Sequence, residues 1–159
     1  MQGKVSLERS AATRVYVGVD VCKAWLDVHV HPIGQSFRVP NTRHGLKQLK
    51  RRLAKLDVAL LVMEATGKFH REAHRNLHAS GYVVAIVNPL RSRLFAEALG
   101  LLAKTDAVDA RMLALLAATI EPKAKTPPPE TLENLQEQPV LATLRRRPYR
   151  TMRPGPRKR

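Results

Sequence analysis

A single cysteine, Cys22, is all the thiol chemistry this chain carries. No internal disulfide can form, which fits a reducing, cytosolic setting. Long apolar runs are missing as well: Val58 to Met63 is far shorter than the roughly 20 residues that span a bilayer. The opening stretch MQGKVSLERSAATR has basic residues with no apolar segment behind them, so no secretory signal is read there. Acids are scarce. Thirteen Asp and Glu stand against 28 Lys and Arg in 159 residues, a net charge of +15. That imbalance points to a polyanionic partner, and without a membrane segment nucleic acid is favoured over a membrane face. Eight Lys/Arg and no acid fall between Val140 and Arg159, so about half of the excess sits in that tail.

Several catalytic signatures are incomplete. Gly67-Lys68 lacks the earlier glycine and the following Ser/Thr of a phosphate-binding loop, which excludes an ATP site of that kind. Gly67 is read instead as the turn from strand to helix. Ser36, Ser80 and Ser92 have no evident base partner, so a nucleophilic hydrolase is not expected. His70, His74 and His78 stripe one helix face, yet no cysteine or second cluster accompanies them and HREAH is not the zinc-protease order. A solvated stripe facing nucleic acid is expected there. His29 and His31 are expected to be exposed, and Trp25 to be core.

What is present is a regular alternation of elements. Val15, Val17 and Val19 alternate with Tyr16, Gly18 and Asp20, and a second β-rich run follows after CKA, which predicts a hairpin. GQSFRVP supplies a third strand. Asn41 or Thr42 can cap a helix that places Leu46, Leu49, Leu53 and Leu56 on one face. VALLVME is a buried strand, GKFHREAHRNLHAS a helix ended by Gly81, and YVVAIV another strand. Helices follow over Leu90 to Leu99 and from about Asp106 to Thr119. Three antiparallel strands followed by αβ units predict an α/β, ribonuclease-H-like mixed sheet with helices on both faces. The expected organisation is an N-terminal extension over 1–13, a catalytic domain over 14–121, and a Pro/Arg-rich linker and basic tail over 122–159, disordered in isolation.

The few acids fall where chemistry would need them. Asp20 lies on the first strand, Glu64 ends a buried one, and open α/β sheets gather their chemistry at the carboxyl ends of parallel strands. Asp106 and Asp109 are spaced to share one helix face. Converging carboxylates repel unless neutralised, and Mg²⁺ does this while accepting phosphate oxygens in the rest of its shell. A pair of such ions can drive phosphoryl transfer. Each acid also has a structural reading alone: Asp106 as a helix cap, Asp109 complementing the helix dipole, Asp20 in a turn, Glu64 as a satisfied strand end.

Four stretches, VGVDVCKAWLDV, MEATGKFHREAHRNL, GYVVAIVNPLRSRLFAEALG and AKTDAVDARMLA, cover roughly Val15 to Ala118. In that order they resemble the N-terminal, RuvC-like domain of DEDD-type insertion-sequence transposases, a family that includes pilin-gene invertases and bridge-RNA-guided recombinases. The resemblance implies that Asp20, Glu64, Asp106 and Asp109 are the four catalytic metal ligands, with Mg²⁺ as cofactor and Mn²⁺ as substitute. It implies DNA as partner, both element ends and target, with a guide RNA and self-assembly as further family traits, and a bacterial cytoplasmic protein associated with the nucleoid. Lys68, Arg91, Arg93, Lys104 and Arg111 lie in these motifs and are the expected nucleic-acid contacts. Full-length members continue into a domain bearing a serine nucleophile. This chain turns instead to Pro and Arg, so a truncated product of a frameshift is expected. The competing reading is a noncatalytic, basic nucleic-acid-binding protein; a nuclease cutting branched DNA alone is a third.

Overall fold

The computed structural model describes residues 13–101 and 108–130. Asp106 and Lys104 lie outside the described residues. The described residues up to Pro127 belong to one compact unit.

Five strands make one sheet: β1 (Arg14–Val21), β2 (Trp25–His31), β3 (Gln35–Pro40), β4 (Asp57–Glu64) and β5 (Val84–Val87). Their spatial order is β3-β2-β1-β4-β5. β1, β2 and β3 pair antiparallel, while β4 joins β1 and β5 joins β4 in parallel. This is the ribonuclease-H-like arrangement expected from the sequence. The helices are α1 (Arg43–Leu53), α2 (Arg71–Ala79), α3 (Pro89–Ala98) and α4 (Ala110–Ile120). None among the described residues is long and apolar enough to cross a membrane.

The alternation along the strands splits the core into two layers. Val15, Val17, Val19, Leu26, Val28, Leu61 and Met63 point to one face and pack with Leu46, Leu49 and Leu53 of α1 and Leu77 of α2. Leu60, Val62, Ala85 and Val87 point to the other and pack with Leu113, Leu116 and Ala117 of α4 and with Phe95 of α3. Because successive strand residues face opposite ways, Tyr16, Gly18 and Asp20 all lie on the α4 face.

Gly18 sets how closely α4 approaches. A Cβ there would sit 2.0 Å from the Ala110 carbonyl oxygen and 2.4 Å from the Ala114 nitrogen. The helix backbone therefore lies directly on β1. At its far end, the Tyr16 hydroxyl donates to Glu121, which caps α4 in a left-handed conformation. Beyond the cap, the Lys125 N–H donates to the Val84 carbonyl, and buried His74 donates from Nε2 to the Lys125 carbonyl at 2.8 Å. The expected solvated histidine stripe is thus corrected: His74 faces inward, and only His78 of the three is fully exposed.

The elements differ from the sequence reading mainly at their starts. Gly67 to His70 form turns, and α2 begins only at Arg71. α4 begins at Ala110, not near Asp106, because Asp109 is extended and its side chain accepts from the Met112 N–H at 2.9 Å. Asp109 is the cap itself, and its expected pairing with Asp106 lies outside the described residues. α3 turns Ser92 and Ala96 inward and leaves Leu90 and Leu94 exposed.

Gly18→Ala should push α4 off β1. Overpacking usually costs about 1–3 kcal/mol, and a collision with helix backbone belongs at or above the top of that range. Gly81→Ala, at positive φ but with open space around it, should cost about 1–2 kcal/mol. Urea denaturation of both variants checks the ranking, and equal losses would show that the α4 contact is not tight.

Candidate active site

The sheet sets three carboxylates in a row. Asp20 on β1 pairs directly across from Asp27 on β2. On the other side, Val19 pairs with Met63, so Asp20 and Glu64 each stand one residue beyond that pair on adjacent parallel strands. Neighbouring strands are about 4.8 Å apart. Asp27, Asp20 and Glu64 share the α4 face, at the carboxyl ends of β1 and β4.

Asp109 reaches this row from above. Asp20, Asp27, His29, Arg38, Asp109 and Arg111 line one open cleft of about 390 Å³. Burial pushes the Asp20 carboxyl above its ordinary 3.8, and Asp27 and then Asp109 push the same way. A backbone hydrogen bond from Val21 and the charge of Arg38 act against them. Asp20 thus feels excess negative charge.

Two of the acids are held by neighbours. Arg38, opposite Asp27 across the β2–β3 pair, donates to it from Nε at 2.7 Å and from Nη2 at 2.8 Å. Glu64 does not line the cleft; its Oε2 accepts from the Ser92 hydroxyl at 2.8 Å. Ser92 is fully buried on α3, and the Pro89 carbonyl is its other neighbour at 3.0 Å. Among the described residues no three of His, Cys, Asp and Glu gather as a metal-holding group.

A family model described as DEDD-type IS110 transposase matches residues 17–147. The chain belongs to the IS110 transposase family. Pilin gene-inverting proteins of Moraxella bovis and Moraxella lacunata are each 28% identical over 116 residues, covering 69% of this chain. The chain spans 36% of the length of these relatives. A structure of T. thermophilus RuvC in complex with Holliday junction substrate is similar over 66% of this chain and 92% of that one, at 13% identity and a TM-score of 0.46. The fold assignment rests on the strand order and not on that overlap. The family match runs past the last quoted motif, which ends at Ala114, into the arginine-rich tail.

Of the four acids that the family resemblance leads one to expect at the site, Asp20 and Asp109 both line the cleft, Glu64 stands beside Asp20 on the sheet with its side chain bound to Ser92, and Asp106 lies outside the described residues. Among the expected nucleic-acid contacts, Arg111 lines the cleft, and Lys68 and Arg91 are exposed. Arg93 donates to Glu97 at 3.0 Å one helical turn away.

Sequence reasoning missed Asp27, Arg38, His29 and Ser92. The serine expected to lack an acid–base partner has one in Glu64, 28 residues away. His29, expected exposed, is nearly buried, with Nδ1 at 2.7 Å from the Ser36 hydroxyl. Burial and then Arg111 hold its imidazole below the ordinary value, with Asp109 opposing. Trp25, expected in the core, is 44% exposed. The usable signal was strand alternation: Trp25, Asp27 and His29 share Asp20's side of the sheet, and Leu26 and Val28 the other.

The raised carboxyl of Asp20 has a consequence for stability. The folded state holds that proton more tightly than the unfolded chain does. Ionising Asp20 therefore weakens folding at neutral pH, and the penalty fades as pH falls through the raised value towards 3.8. In metal-free buffer, Asp20→Asn should melt higher than the parent at pH 7, and the gap should narrow on acidification. A variant that melts lower at pH 7 contradicts the reading of Asp20 as a charge under strain.

Proposed function

We propose that this domain is the acidic, divalent-metal-dependent part of a transposase active site that cuts and transfers DNA strands. The observation that carries the proposal is the convergence of Asp20 and Asp109 on one cleft, with Glu64 on the neighbouring strand of the same face. The donor chemistry suits the metal. These are hard carboxylate oxygens, the ligand type that Mg²⁺ and Mn²⁺ take, and burial with the like charges of Asp27 and Asp109 disfavours ionised Asp20, a cost that a cation would offset. Asp20, Asp109 and Glu64, with Asp106, would hold the ion. When bound, it supplies Lewis acidity and charge stabilisation for attack at phosphorus.

The chain's own residues do the rest. Asp109 uses Oδ1 to cap α4, which fixes its carboxylate and leaves Oδ2 as the atom to offer. Ser92 orients Glu64 from behind, in the way outer hydrogen bonds aim metal ligands. Arg38 ties Asp27, so the carboxylate nearest Asp20 on β2 is already held by a partner. Arg111 at the cleft, with Lys68, Arg91, Arg93 and Lys104, would take phosphates of the strand, and such contacts supply sequence-independent affinity.

The relatives are named for inverting a pilin gene; for this chain, DNA at the ends of a mobile element and at its target is the proposed substrate. Strand exchange would need the serine-bearing domain expected from the family resemblance, from this protein or an intact copy. Guide RNA use, self-assembly and a place in the nucleoid belong to the same proposal and rest on that resemblance. A noncatalytic nucleic-acid-binding role is the second reading, favoured by the lack of a three-residue metal cluster among the described side chains.

Mn²⁺ titration of the full chain by calorimetry separates the two. Outer-shell substitutions cost about 10- to 100-fold in metal affinity, so Asp20→Asn and Asp109→Asn should each cost no less. Mn²⁺ affinity unchanged in both variants, with DNA binding intact, supports the noncatalytic reading.

A further inference from the structure

Trp25 is the chain's only tryptophan, and it opens β2 with 44% of its surface exposed. Tryptophan is usually well covered in a folded domain, so an indole left in water beside a cleft asks for a partner. Its neighbours fix the direction: Leu26 and Val28 go into the core, which turns Trp25 to the side of Asp27, Asp20 and α4.

The ring does not stand alone. The Arg38 guanidinium carbon lies 5.9 Å from its centroid. That guanidinium is held by its two hydrogen bonds to Asp27, and a bidentate carboxylate fixes the orientation of the plane. With its charge partly neutralised there, Arg38 offers a flat stacking surface more than a loose grip on phosphate. The turn before Trp25 is also pinned. The Asn41 side chain donates to the Cys22 carbonyl at 2.9 Å, and the Asn41 N–H donates to the Ala24 carbonyl at 2.9 Å. The result is a rigid aromatic–guanidinium surface.

We infer that Trp25 and Arg38 form a stacking platform for one unpaired base of the DNA strand handled at the acidic cleft, an inference that rests on the function proposed above. Position, chemistry and charge agree. Arg38 lines the cleft and lies over the Trp25 ring at once. Trp25 is two residues along β2 from Asp27, about 7 Å, within reach of a nucleotide next to one held at the cleft. A phosphate near Asp20 and Asp109 therefore puts a base one or two nucleotides away at the ring. Bases inside a duplex have both faces covered, so the ring selects a strand end or a splayed nucleotide, as single-strand binders do. Exposed Lys23 in the adjoining turn supplies positive charge for the backbone.

Because Trp25 is the sole tryptophan, the emission of the full chain reports on this position alone. The chain is titrated with single-stranded oligothymidylate and with an abasic strand of equal length, following binding by anisotropy and tryptophan emission together. Saturable quenching by the base-bearing strand is expected, and emission should stay unchanged when the abasic strand binds. Trp25→Ala should weaken oligothymidylate binding about five- to a hundredfold, the range for one stacked base, while Trp25→Phe keeps most of the affinity. Binding of oligothymidylate with unchanged emission, or full affinity in Trp25→Ala, overturns the platform and leaves the proposed function standing. Failure of the chain to bind either strand overturns both.

Discussion

The contact between the α4 backbone and β1 at Gly18 governs the site. A helix normally stands off a sheet by the length of its side chains. Here glycine on the strand and Ala110 and Ala114 on the helix remove that spacing. Asp109, one residue before Ala110, is thereby brought to Asp20, two residues beyond Gly18. The Tyr16–Glu121 hydrogen bond anchors the other end of α4 and resists sliding. The position of one carboxylate against another is thus decided by a missing Cβ.

The charge distribution follows from that packing. A chain with net charge +15 concentrates acids in one row across the sheet. Two of them have local partners, Asp27 in Arg38 and Glu64 in Ser92, and Asp20 takes the remaining strain through burial and like charge. Perturbed carboxylates of this kind cluster at functional sites, though structural ion-pair networks produce them too. On the function proposed above, the basic side chains would draw a polyanion in, and the acidic row would hold the metal that its phosphates need.

Much of this was legible in the sequence. Valine alternation in β1 and the short apolar runs of β4 and β5 are local signals, and they placed these strands along the chain. Asp20 and Glu64 were visible because strand ends and family motifs coincide there. What stayed hidden was non-local. Arg38 meets Asp27 through β2–β3 register, and Ser92 meets Glu64 through the docking of α3, and neither is encoded in spacing along the chain. The start of α4 was misplaced because residue type alone does not say which residue caps it; Asp109 does so in the structure, with Ala110 packed directly on Gly18. Trp25 was placed in the core on hydrophobicity alone, against the pattern of its own strand.

A crystal of the full chain soaked with Mn²⁺ and measured at the manganese absorption edge tests the central claim most directly. The account predicts anomalous density between the Asp20 and Asp109 carboxylates, with Glu64 turned to the same ion or to a second one beside it. Anomalous density only elsewhere on the molecule, or Asp20 and Asp109 too far apart to share an ion, would contradict it.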